Sequence, residues 1–197
     1  LDFIEYNNLI KSGHFLSNIF KLHIEDSQNE DEIKKTLISY SSIDDLVSQN
    51  VKKQYEQNPY PRWQSYELIH EKKPFNQILN ELSIKFHIDQ NINFESPQVL
   101  IAGCGTGQHA IESYSRYLNS KITCIDLSLS SLAYANRKTT EKNIKSIDFF
   151  HCDILEIKNL PCDNFDVIES SGVIHHMQNP EHGLNNLISK LKNGGFI

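Results

Sequence analysis

The run Gln98-Val99-Leu100-Ile101-Ala102 leads without a break into Gly103-Cys104-Gly105-Thr106-Gly107, and nothing else in the chain restricts its fold so tightly. A short continuous apolar run reads as a strand buried on both faces, as in parallel sheets covered by helices. Glycines placed directly after it permit a tight turn with no side chains in the way, so a ligand can approach the backbone closely. Segments then alternate: a helix around His109 to Leu118, a strand Lys121 to Ile125, a helix around Ser130 to Lys138, and strands Ile147 to Cys152 and Phe165 to Glu169. A last helix has Asn179 as N-cap and Pro180 at its first position, puts Leu184, Leu187, Ile188 and Leu191 on one face, and ends at Asn193-Gly194-Gly195. This alternation implies an α/β, doubly wound sheet with its ligand crevice at the carboxyl ends of the strands.

The residues before Pro97 have a different character. They divide the chain into a helical extension over 1–94, covering the ligand, and a core over 95–197. Phe15, Leu16, Ile19 and Phe20 recur at helical spacing, as do Ile33, Leu37 and Ile38. Ser42-Ile43-Asp44-Asp45 has the form of a capping box, followed on one face by Ile43, Leu46, Val47 and Val51 until Pro59 stops the helix, with Tyr55 on its last turn. Another helix begins near Pro74 and turns Phe75, Ile78, Leu79, Leu82 and Phe86 inward. Between them, Asn58-Pro59-Tyr60-Pro61-Arg62-Trp63 cannot be helical through its two prolines.

Composition narrows the classes of partner. With 19 Lys+Arg against 25 Asp+Glu the net charge is -6, and no basic stripe stands out, so duplex nucleic acid is a poor partner. Cys104, Cys124, Cys152 and Cys162 form no CxxC pair and follow no secretory leader, so reduced thiols, a cytoplasmic location and no metal site are expected. No apolar run approaches the roughly 20 residues that cross a bilayer.

The chemistry concentrates at three strand ends. Asp126, nineteen residues beyond Gly107, is placed to accept hydrogen bonds from both hydroxyls of a ribose. Asp153 can take a hydrogen bond from an adenine amino group while Ile154 covers the ring. Leu127 beside Asp126, and Ser170 after the fourth strand, join the candidate cofactor-lining set. A dinucleotide fingerprint would want its third glycine at Gln108, and this chain has Gly107 instead. The spacing suits a ligand without phosphates, whose amino-acid end passes under the turn; a nicotinamide or flavin oxidoreductase is the rival reading.

Val99 to Gly107 resembles motif I of the Rossmann-like methyltransferases that use S-adenosylmethionine. Ile125-Asp126-Leu127-Ser128 resembles their ribose motif, Cys152-Asp153-Ile154 their adenine motif, and Leu191-Lys192-Asn193-Gly194-Gly195 the turn before their fifth strand, with Asn193 in place of proline. The resemblance implies S-adenosyl-L-methionine bound by Gly103, Cys104, Gly105, Thr106, Gly107, Asp126, Leu127, Asp153, Ile154 and Ser170. It also implies a seven-stranded sheet, of which strands 1–4 and the start of 5 are present. The expectation is therefore a fragment whose fourth strand has an open apolar edge, with part of the acceptor site in a missing C-terminal segment.

Gln54-Tyr55-Glu56-Gln57-Asn58-Pro59-Tyr60-Pro61-Arg62-Trp63 resembles a segment of certain bacterial methyltransferases, some of which methylate lysines on surface proteins. In these the segment folds over the cofactor. Tyr55, Tyr60, Arg62 and Trp63 would then touch the methionine end, Arg62 pairing with its carboxylate; the other reading is an aromatic-proline clasp. Ser171-Gly172-Val173-Ile174-His175-His176-Met177 fits the same group. His175 and His176 are candidate general bases, or positioning or loop-packing residues. Neither the Asn-Pro-Pro-Tyr signature of nucleic-acid amino-methylating enzymes nor a Pro-Cys nucleophile follows the fourth strand, so a protein or small-molecule acceptor is favoured. A non-catalytic cofactor-binding scaffold is the remaining alternative.

Overall fold

The structure, a computed structural model, describes residues 24–66, 71–82 and 95–197. The expected helix through Phe15 to Phe20, and Phe86, lie outside the described residues. Its centre is a five-stranded, wholly parallel sheet of β1 (Gln98–Ala102), β2 (Lys121–Asp126), β3 (Ile147–His151), β4 (Phe165–Glu169) and β5 (Leu191–Phe196), in the order β3-β2-β1-β4-β5. The order reverses at β1, where the chain crosses to β4, so a crevice opens beyond the carboxyl ends of β1 and β4.

Alternation along β1 builds two cores. Val99 and Ile101 point to one face with Ile111 of α4 (Gln108–Arg116) and Leu132 and Ala135 of α5 (Leu129–Glu141). Leu100 and Ala102 point to the other, against Ile157 and Leu160 around a short 3-10 segment (Ile154–Asn159) and Leu187 of α6 (Pro180–Ile188). At the opposite end of the sheet Asp166, 1% exposed, braces three strands: it accepts from Gln98 N of β1 at 2.8 Å and pairs with Lys192 of β5 at 2.7 Å. β5 thus covers the edge of β4 that was expected to be open. The last helix is shorter than its apolar spacing suggests, because Leu191 opens β5 instead of closing α6, and Leu184 and Ile188 remain partly exposed.

Among the described residues, three further helices precede the sheet: α1 (Asp26–Thr36), α2 (Leu46–Gln57) and α3 (Phe75–Glu81). The capping box expected at Ser42 does not form. Glu156 accepts from Ser42 N at 3.3 Å and Ile43 N at 3.0 Å, Ile43 adopts φ +57°, and the helix starts one motif later, with Asp45 capping Ser48 N at 2.8 Å. Leu37 and Ile38 leave the helix that their spacing suggests. Residues 38–40 run beside β3 instead: His151 N donates to Ile38 O at 3.0 Å, and Tyr40 N donates to His151 O at 2.9 Å.

His151 ties this edge to the next strand end, with Nδ1 2.6 Å from Ser39 Oγ and Nε2 3.0 Å from Leu127 O. Burial, and then Lys52 nearby, push its pKa below the ordinary 6.5. The unfolded chain therefore takes a proton first as pH falls, so stability is full above about pH 6.5 and declines below it. Urea titrations at pH 7.5 and 5.5 should show this loss in the parent and not in His151→Asn; an equal slope in both would refute the assignment.

Candidate functional site

A cleft of about 510 Å³ occupies the crevice. Its floor is the glycine turn, held from below: Gly103 N and Cys104 N donate to Ile125 O at 2.8 and 3.1 Å. Gly103 and Gly107 have φ of +75° and +82°, and neither position leaves room for a side chain. A Cβ on Gly103 would lie 2.3 Å from a Val173 methyl, and one on Gly107 would lie 2.6 Å from Ala135 Cβ. At Gly107 the left-handed turn thus lets α5 pack directly against the backbone.

Asp126 joins the turn to the second strand. Its Oδ2 accepts from Gly105 N at 2.8 Å and its Oδ1 from Ser128 N at 2.9 Å. Burial pushes its pKa above the ordinary value, against the opposing pull of these amides. A carboxylate can accept about four hydrogen bonds, so these two amides leave it capacity for a ligand hydroxyl. Asp153 is 2% exposed; its Oδ1 caps Leu155 N at 2.8 Å, and Ser41 Oγ accepts from its amide. Asp153, Leu127 and Ile154 line the same cleft as Gly103, Cys104, Gly105, Thr106 and Asp126. One cleft polar atom is stranded: Ser131 Oγ, on α5, has no hydrogen-bond partner among the described residues although its residue is 1% exposed. A buried hydroxyl without a partner costs on the order of 1–3 kcal/mol.

The segment over 54–63 wraps the turn, and its four candidates divide. Tyr55 and Tyr60 line the cleft. Arg62 and Trp63 are not among the cleft-lining residues and act as a clasp. Trp63 Nε1 donates to Thr106 O at 3.0 Å, Thr106 Oγ1 donates to Pro61 O at 2.6 Å, and Tyr134 Oη donates to Trp63 O. Arg62 does not reach towards the expected carboxylate. Its guanidinium lies 2.7 Å from Glu30 of α1 and over the Tyr134 ring, which Arg137, itself buried among Glu30, Asp26 and Glu141, also approaches. Glu56 completes the strap by accepting from Ser128 Oγ, Ser130 N and Ser130 Oγ at 2.9–3.1 Å, which caps α5. Burial pushes Glu56 up, but the serine donors outweigh it and hold it below the ordinary value.

Beyond β4 the expected residues separate again. Ser170 Oγ donates to Ala102 O at 3.1 Å and is not among the cleft-lining residues. His175 and His176 are both exposed, with ring centroids 4.0 Å apart, and of the two only His176 lines the cleft. Sequence reasoning missed His109, which also lines it. Its Nε2 is 2.9 Å from Glu169 Oε2, and Glu169 also accepts from Ser113 Oγ and, at 2.5 Å, from Tyr117 Oη. Burial pushes the Glu169 carboxyl up, but the three donors outweigh it and leave the group below its ordinary value.

Residues 99–195 match the family described as Methyltransferase domain. Over 104 residues the chain is 38% identical to an uncharacterized Synechococcus protein, covering 51% of this chain and 24% of that one. Over 127 residues it is 28% identical to the malonyl-[acyl-carrier protein] O-methyltransferase of Bacillus cereus, covering 64% of this chain and 44% of that enzyme. The chain thus spans less than half the length of these curated relatives. Among solved structures, the [4+2]-cyclase SpnF superposes with a TM-score of 0.53 at 21% identity, over 75% of this chain and 58% of that one. The geranyl diphosphate C-methyltransferase of Streptomyces coelicolor, in complex with S-adenosyl-L-homocysteine, gives 0.52 at 14% identity, over 79% and 65%. The fold is the Rossmann-like α/β fold of these proteins.

Proposed function

We propose that this chain is the donor-binding part of an S-adenosylmethionine-dependent methyltransferase. The observation that carries the reading is the convergence, in one cleft, of the glycine turn, Asp126 and Asp153 with Ile154. Asp126 would hold the ribose hydroxyls, and Asp153 and Ile154 the adenine. The methyltransferase-domain match over 99–195 supports it independently. When bound, the donor supplies a sulfonium methyl already activated for displacement, so the protein's work is to align an acceptor and exclude water. Tyr55 and Tyr60 close the cleft from above. His176, which lines the cleft where His175 does not, would be the member of the histidine pair to take the acceptor's proton.

Calorimetry with S-adenosylhomocysteine and with a nicotinamide dinucleotide tests the donor assignment; binding of the second alone would reverse it to an oxidoreductase. A second reading keeps the cofactor and drops the transfer, and the likeness to a [4+2]-cyclase favours keeping it in view, since one fold serves several chemistries. Transfer of labelled methyl into any fraction of a cell extract separates the two. The acceptor is a protein or a small molecule, and the likeness of residues 54–63 to lysine-methylating enzymes favours protein lysine; label confined to small molecules would sink that. In the same assay, His176→Ala should lower transfer by roughly a hundredfold or more, as loss of a general base does, while His175→Ala stays within about twofold of the parent on the same reasoning. Equal losses in both would show that the pair acts through loop packing.

A further inference from the structure

We propose that Ser41, which is not among the cleft-lining residues, positions Asp153 and so sets how strictly the donor site selects a 6-aminopurine. The inference rests on the donor reading above.

Among the described residues β3 is an edge strand of the sheet, and the outward amides of an edge strand lack a ladder partner unless another segment supplies one. The amides at and just past its end alternate in direction. His151 N points outward to Ile38 O at 3.0 Å, and Cys152 N points inward to Asp126 O at 3.1 Å. Asp153 N points outward again, and there the segment over 38–43 offers a side chain in place of a carbonyl: the amide donates to Ser41 Oγ at 2.7 Å. The hydroxyl's own proton goes to Cys152 Sγ at 3.5 Å, which leaves its lone pairs to the amide. The residues on both sides of Ser41 are held too. Tyr40 N donates to His151 O at 2.9 Å, Asn159 Nδ2 donates to Tyr40 O at 3.1 Å, and Ile43 N donates to Glu156 at 3.0 Å. Ser41 therefore has little freedom to leave Asp153.

The consequence falls on the carboxylate. Asp153 is 2% exposed and its Oδ1 accepts from Leu155 N at 2.8 Å, so its amide and one carboxyl oxygen are both held. A carboxylate so placed accepts from a 6-amino group and meets a 6-oxo group lone pair to lone pair. Such discrimination needs the acceptor kept within about 0.5 Å by residues that are themselves locked. Without Ser41 Oγ the Asp153 amide loses its partner, and a buried amide without one moves to find another. Cys152 and Ile154, on either side of Asp153, line the same cleft, so a shift of this backbone reaches the ligand.

Affinities for S-adenosylhomocysteine and S-inosylhomocysteine, which differ in carrying an amino or an oxo group at purine position 6, isolate that contact. The parent should prefer the first by about tenfold or more, as expected for a hydrogen bond to a charged group. Ser41→Ala should remove most of that preference by weakening the adenosyl ligand and leaving the inosyl ligand unchanged, whereas Ser41→Thr, which keeps the hydroxyl, should retain it. Asp153→Ala should abolish the preference, and adding Ser41→Ala to it should change the ratio no further, since the serine acts through the aspartate. Equal affinities in the parent, an unchanged preference in Ser41→Ala, or equal weakening of both ligands by it overturns the proposal and leaves the donor reading intact. Failure of the parent to bind either ligand overturns both.

Discussion

Alanine at Gly107 is expected to lower the unfolding midpoint by roughly 5–15 °C, given about 2–4 °C per kcal/mol for a chain of this size. Two penalties add. The residue sits at φ +82°, where an L side chain costs about 1–2 kcal/mol. The new Cβ would also stand 2.6 Å from Ala135 Cβ and 3.2 Å from its Cα, an overpacking of about 1–3 kcal/mol. α5 cannot easily retreat, because Glu56 holds its first turn and Arg137 anchors it to α1. Two further variants separate the penalties in a thermal melt. Gly172→Ala meets open space at φ +72° and should show the backbone cost alone. Adding Ala135→Gly to Gly107→Ala should restore the packing share and leave the backbone share. A shift of the single variant no larger than that of Gly172→Ala would mean that the helix yields.

Removal of the Asp126 carboxylate should cost the donor at least about a hundredfold in affinity, since hydrogen bonds to charged groups contribute about 1.5–3 kcal/mol each. Asp126→Ala takes away the acceptor proposed for both ribose hydroxyls and also frees Gly105 N and Ser128 N, so the turn loses its tie to β2. Asp126→Asn keeps one acceptor oxygen and should fall between the parent and alanine. Calorimetric titration with S-adenosylhomocysteine measures all three. Alanine within tenfold of the parent would remove Asp126 from the ribose site. Acid should weaken binding earlier than an exposed aspartate would, because burial raises this carboxyl and only its ionised form accepts from both hydroxyls.

Much of the sheet was legible because parallel strands buried on both faces leave uninterrupted apolar runs: β1 and β4 have the expected ends, and β2 and β3 differ by one residue. Errors arose where two local solutions compete. Leu187 and Leu191 fit one helix face, yet Leu191 also fits a strand, and the free edge of β4 decides for the strand. Ser42 and Asp45 can each cap a helix, and Glu156, more than a hundred residues away, settles the choice by occupying the amides at 42 and 43. Leu37 and Ile38 left their helix because β3 offered its edge at His151. Of the candidate site, Gly103 to Thr106, Asp126 and Asp153 line one cleft because each follows a strand whose end the spacing located. Arg62 and Trp63 were not legible in that way, because their partners Glu30 and Thr106 are brought to them by folding. His109 escaped notice because one histidine two residues past a glycine has no pattern of its own, and its partner Glu169 lies sixty positions away.

The chain contains a single tryptophan, Trp63, and its indole N–H ends on Thr106 O in the glycine turn. An indole's emission responds to the polarity and hydrogen bonding around that nitrogen, so the molecule has a built-in optical probe at the floor of its cleft. Any ligand that tightens or loosens the turn changes one fluorophore, with no other indole to dilute the signal. Occupancy can be followed in unlabelled protein by light alone.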